Sequence, residues 1–138
     1  MAQVILIALE KELAEAGAVY AKGASGKALA RETDRIDSAA RRKGAMSVTS
    51  LMSESQAVLA EQMRAEGFDP SKMRLPAEVW FEAKEGLKTV RAVAEYVGGN
   101  LNDFKMPNPI LRDLKAAEAL LMAAEVAGVR FHFRKATV

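Results

Sequence analysis

Cysteine is missing from this chain, which removes disulfides and thiolate metal sites and fits a reducing compartment. There is one histidine, His132, so no two-histidine metal motif can be built. Aromatic residues make up only 6% of the sequence, too few for a stacking platform along a nucleic acid. No apolar run exceeds Val4 to Leu9, far short of a bilayer span. No lysine or arginine precedes that run and Glu10 and Glu12 follow it, unlike a secretory signal. The expectation is therefore a cytoplasmic protein with no membrane segment. An excess of one charge sign is also lacking. Twenty basic residues face eighteen acidic ones, a net charge of +2, and the signs are mostly interleaved. Nucleic acid ranks last among the partner classes on that ground, with Arg41-Arg42-Lys43 and the basic C-terminus as its only footing.

What is present describes an ordinary globular chain. At 138 residues, 50% hydrophobic and 28% charged, it suits a single domain spanning residues 1–138. Val4 to Leu9 is rich in branched residues without helical gaps and reads as a strand buried on both faces, with a helix opening there and continuing to Ala16 as the alternative. At the other end Val129-Arg130-Phe131-His132-Phe133-Arg134 alternates apolar and polar residues. That pattern predicts a strand with the aromatics inward and Arg130, His132 and Arg134 on the opposite, outward face. A strand cannot satisfy its own backbone, so the two ends are expected to pair.

Between them the periodicity predicts about four helices. Gly17 to Gly26 reads as a loop, after which Ser25 caps a helix running to Lys43, with Leu29, Thr33, Ile36 and Ala40 on its inner face. Arg41-Arg42-Lys43 before Gly44 is a C-terminal stop signal. Ser53-Glu54-Ser55-Gln56 has capping-box spacing and opens a second helix presenting Val58, Leu59 and Met63. A third is expected over about 82–97, and a fourth from Pro107 or Pro109 to Gly128. The fold class is thus α+β: helices packed on a small sheet formed by the N- and C-terminal strands.

The chemical motifs mostly fail on inspection. Gly26-Lys27 resembles the end of a phosphate-binding loop, but the opening glycine is Ala21 and the magnesium-binding Ser/Thr is Ala28. Glu78, Glu82 and Glu85 have helical spacing, with Lys84 and Lys88 beside them to make a solvated face. Trp80-Phe81 reads as core, and Met52, Met63, Met73, Met106 and Met122 read as gap-fillers near helix ends. No catalytic residue, cofactor or metal site is assigned. The basic face of the last strand is the strongest candidate surface, with pairing of Arg130 and Arg134 to Glu10 or Glu12 as its structural alternative.

Several short motifs together carry a resemblance. Gly26-Lys27-Ala28-Leu29-Ala30 leads to Ile36-Asp37, Trp80-Phe81 is followed by Glu85-Gly86-Leu87 and Thr89-Val90-Arg91, and Gly128-Val129-Arg130-Phe131-His132 closes the chain. This resembles a loose group of small uncharacterised bacterial proteins with a W-F-x-x-x-E-G-L-x-T-V-R segment. Glu82-Ala83 stands here where that group has Asp-Pro. The resemblance implies the terminal strand pair and marks Glu85, Arg91, Arg130 and His132 as the polar positions of interest, and it brings no assigned activity.

The leading functional expectation is a small non-enzymatic protein of immunity or regulatory type. It binds a protein partner through a free strand edge and the charged face of Arg130, His132 and Arg134, with Trp80 nearby. A second copy joining through an edge strand is the homodimeric form of that reading. The alternative is a pocket in which Arg91, Arg130 and His132 receive an anionic small molecule beside Glu85.

Overall fold

The computed structural model describes residues 3–11 and 25–137. Glu12 and most of the Gly17–Gly26 loop expectation lie outside the described residues. Strand β1 (Gln3–Leu9) pairs antiparallel with β2 (Phe131–Thr137), with Leu9 opposite Phe131 and Ile5 opposite Lys135. Helices α1 (Lys27–Arg31), α2 (Thr33–Arg42), α3 (Gln56–Ala65), α4 (Ala83–Gly99) and α5 (Pro107–Ala127) lie between, with three short 3-10 turns. The architecture is α+β, with the sheet made by the two ends of the chain.

Because directly opposed residues share a face, Ile5, Ile7, Leu9, Phe131 and Phe133 point to one side of the ribbon. There they join Leu29, Ile36, Leu87, Val90, Val93, Ile110, Leu114 and Leu121 in one core. The two longest helices, α4 and α5, pack along each other beneath this face. Gly86 explains how α4 comes so close. A Cβ there would lie 2.4 Å from the Phe131 ring, so the ring rests on bare helix backbone.

Several expected boundaries move for identifiable reasons. The predicted helix from Ser25 to Lys43 is broken at Glu32 (φ −123°), where α1 ends and α2 begins. Thr33 Oγ1 donates back to the Leu29 and Ala30 carbonyls, which competes with regular helix geometry. Gly26, not Ser25, stands at the N-cap, at φ 76°. A side chain there would collide with the Ile5 carbonyl, 2.1 Å from a built Cβ. The Gly26 carbonyl accepts from Ile5 N–H, tying α1 to the outer edge of β1. The capping box is displaced as well: Ser55 Oγ accepts from Val58 N–H, whereas Ser53 Oγ accepts from Val79 N–H of a distant segment. Helices α4 and α5 fall within two residues of their expected limits, and Gly128 closes α5 in the left-handed conformation. Glu78 precedes α4 altogether, so Glu78, Glu82 and Glu85 do not share a helical face. Met73, Met106 and Met122 face outward, each more than two-fifths exposed, contrary to the gap-filling expectation.

Buried carboxylates hold the helices in place. Glu32, 8% exposed, accepts from Lys105 and Met106 N–H, the two residues before α5, and so ties the start of that helix to the α1–α2 elbow. Asp37 accepts from Thr49 N–H and Thr49 Oγ1, fixing the turn after α2. Among the described residues no helix is long and apolar enough to cross a membrane.

A Gly86→Ala substitution gains about 1 kcal/mol of helix propensity but overpacks Phe131, which costs about 1–3 kcal/mol. The net expectation is destabilisation. Gly98, in the same helix with nothing within 4 Å of a built Cβ, is the control; Gly98→Ala should stabilise by about 0.4–1 kcal/mol. Urea unfolding of the two variants measures both signs.

Candidate functional site

The second face of the ribbon carries Val4, Leu6 and Ala8 from β1 opposite Ala136, Arg134 and His132 from β2. Sequence alternation assigns this face to solvent. Instead His132 is 1% exposed, which corrects that expectation. Two return segments cover it, and backbone bonds at the free edge of β2 hold them. Phe81 and Phe131 exchange both N–H···O bonds (2.7 and 2.9 Å), and Ser53 N–H donates to the Phe133 carbonyl at 3.0 Å. The bond from Val79 N–H to Ser53 Oγ (2.8 Å) ties the two segments to each other.

Under this cover His132 Nε2 lies 2.8 Å from Glu78 Oε2, and Nδ1 lies 3.2 Å from the Phe133 carbonyl. Both ring nitrogens therefore face protein acceptors. The Trp80 ring lies on the imidazole, centroids 4.5 Å apart and planes 36° apart. Arg134 Nε approaches Glu54 Oε2 at 3.3 Å, close enough for an ion pair yet not aligned as a hydrogen bond, so the buried Nε–H has no such partner. Glu54 in turn accepts from Ser55 N–H at the start of α3. The arrangement is a polar clamp that fastens two loops to the strand.

The remaining predicted residues are dispersed. Arg130 precedes β2 and makes a two-pronged pair with Glu10, both contacts 2.8 Å. Hydrogen bonding from Arg130 holds the Glu10 carboxyl below its ordinary range, and Glu10 raises the Arg130 guanidinium in return. Arg91, on α4, pairs with Glu118 of α5 at 3.1 Å. Glu85 sits half-buried in the first turn of α4. The structure thus joins His132 to Trp80 and sets Arg134 on the same strand face. Arg91 and Arg130 stay apart in ion pairs of their own, and Glu85 lies on α4 away from both the ribbon face and the Arg130 pair. Arg91 lines a cleft with Lys84, Lys88 and Glu95, to which Glu85, Arg130 and His132 do not contribute.

Sequence reasoning missed Glu54 and Ser53 as partners of the last strand and put Glu78 on the wrong element. The available signal was a lone histidine among strand aromatics, which needs an acceptor once buried.

Beside the clamp lies an open groove of about 460 Å³, lined by Met52, Ser53, Glu54, Leu59, Gln62, Pro76, Ala77, Val79 and Lys135. Its surface is chiefly apolar. Helix α3 forms one wall and has no buried residue. Val58, Leu59 and Met63 are only half-covered, and Phe68, Met73 and Val79 around them are about half exposed. No family model matches the chain, nor does any curated protein or solved structure.

Glu78→Ala strands a buried imidazole nitrogen and is expected to cost about 1–3 kcal/mol. It should appear as a lowered urea midpoint with unchanged slope, together with altered Trp80 emission. Glu10→Gln gives a pH signature. A depressed carboxyl contributes stability above its unfolded pKa and loses it as pH falls through the folded one. The variant should be less stable than the parent at neutral pH and converge with it on acidification. Added salt should narrow the neutral-pH gap, because the pair is exposed. Thermal melts across the acid range measure this.

Proposed function

We propose that the protein is a non-enzymatic binding protein of regulatory or immunity type whose partner docks on the apolar groove of α3 and the 76–79 segment. The observation that carries this is α3 itself. A ten-residue helix is marginal in water and draws its stability from packing an apolar face. This one leaves that face half-open, beside further exposed apolar side chains. Exposed apolar side chains gathered beside an apolar groove suit contact with another protein.

The occupant that fits is an extended apolar segment of another protein bearing an acidic side chain. Lys135 lines the groove and has no carboxylate within ion-pair distance among the described residues. The Ile5 N–H points away from β2, and by the same parity the backbone N–H and C=O of the opposed Lys135 point away from β1. Phe131 and Phe133 have given their outward groups to Phe81 and Ser53, so strand addition is left to the Lys135 end. The Arg130 and His132 positions contribute indirectly, by holding the sheet and the loops that shape the groove.

A photo-crosslinking residue in place of Gln62 should capture a discrete heterologous protein, and Leu59→Asp should abolish that capture with little change in stability. Light scattering should show the free protein to be monomeric. Capture that survives Leu59→Asp rejects the groove. A dimer crosslinked to itself rejects a foreign partner in favour of a second copy.

A further inference from the structure

A different cleft, of about 370 Å³, opens where α1 and α2 meet, and it is charged where the groove is apolar. Arg31, Glu32, Asp34 and Arg35 line it from the elbow, Lys105 from the turn before α5, and Lys135 from the end of β2. Three separate segments thus bring four cations to one opening, against two carboxylates.

The carboxylates do not satisfy them. Glu32 is already committed to Lys105 and Met106 backbone N–H and to Arg35, at 2.8, 3.3 and 3.3 Å. Arg35 divides itself between Glu32 and the Asp103 carbonyl. Among the described residues Arg31, Lys105 and Lys135 have no carboxylate within 4 Å. The polar contact Arg31 does make is to the Met106 thioether at 3.1 Å, a weak acceptor for a guanidinium. All three side chains are exposed and free to turn inward. Glu32 supplies the frame, since its bonds to the Lys105 and Met106 backbone hold the elbow beside the turn before α5.

We infer that this cleft binds a small diphosphate-bearing anion. Arg31 offers a planar fork for two phosphate oxygens, and Lys105 and Lys135 act as point charges from the other sides. Two linked phosphates carry more acceptor oxygens than one and can meet cations approaching from three segments at once. No aromatic side chain lines the cleft, so the phosphates and not an attached base supply the recognition. The site is independent of the groove proposed above, apart from Lys135, which borders both.

Calorimetry and amide NMR with inorganic pyrophosphate, at fixed ionic strength, test the assignment on the full chain. Saturable binding with shifts at Arg31, Lys105 and Met106 is expected. The double variant Arg31→Ala/Lys105→Ala should weaken binding about tenfold or more, the worth of a charge-assisted hydrogen bond. Lys84→Ala/Lys88→Ala, beside another cleft on α4, should leave it unchanged. Unfolding of each variant like the parent's shows that the loss is local. ADP should bind no tighter than pyrophosphate. Absence of saturation, an equal response to chloride, or indifference to the Arg31/Lys105 variant overturns the site. ADP binding far tighter than pyrophosphate overturns recognition by phosphate alone. Duplex DNA binding that pyrophosphate cannot displace overturns the small ligand in favour of nucleic acid.

Discussion

Phe131 and Phe133 belong to a strand whose hydrogen-bonding groups point both ways, and the rest of the structure depends on how both sides are met. On one side β2 takes β1, from the opposite end of the chain. On the other it takes Phe81 and Ser53, from two intervening segments. Closing so long a loop costs only slowly increasing entropy, about 0.6 kcal/mol for each doubling of length. Burial of Ile5, Phe131 and Phe133 against α4 and α5 readily offsets that increment. Once β2 sits on the helices, its free edge becomes the anchor for the loops on the far face.

That second layer turns a surface histidine into a buried one. His132 is held by Glu78 and the Phe133 carbonyl and covered by Trp80. The imidazole's partners come from the protein itself, while Arg134 Nε meets Glu54 only as an ion pair. Glu32 and Asp37 act similarly in the helical layer, each offering a buried carboxylate as acceptor to backbone N–H groups of another segment. The exposed pairs, Arg130 with Glu10 and Arg91 with Glu118, contribute modestly by comparison, because water screens them.

Two of the clefts outside the core and the clamps differ in character. The groove along α3 is apolar and wide, suited to a protein segment. The elbow cleft is basic and small, suited to phosphate oxygens. Lys135 borders both.

The sequence by itself determined the element types, the terminal strand pair, the ends of α4 and α5 and most of the inner helix faces. These follow from local periodicity and stop signals, as with Leu87, Val90 and Val97 along α4 and Gly128 at the close of α5. It also held the pairing of Arg130 with Glu10 as an alternative, because flanking positions in paired strands are neighbours. Only the tertiary structure decided the fate of His132, the break at Glu32 and the true partners of Ser53 and Glu54. Strand alternation says which side chains share a face. It carries no information about whether a loop from 50 residues away will cover that face, since the covering contacts are set by edge hydrogen bonds between segments with no shared periodicity. The same reason hid both candidate clefts, whose walls come from segments far apart in the chain and adjacent only once folded.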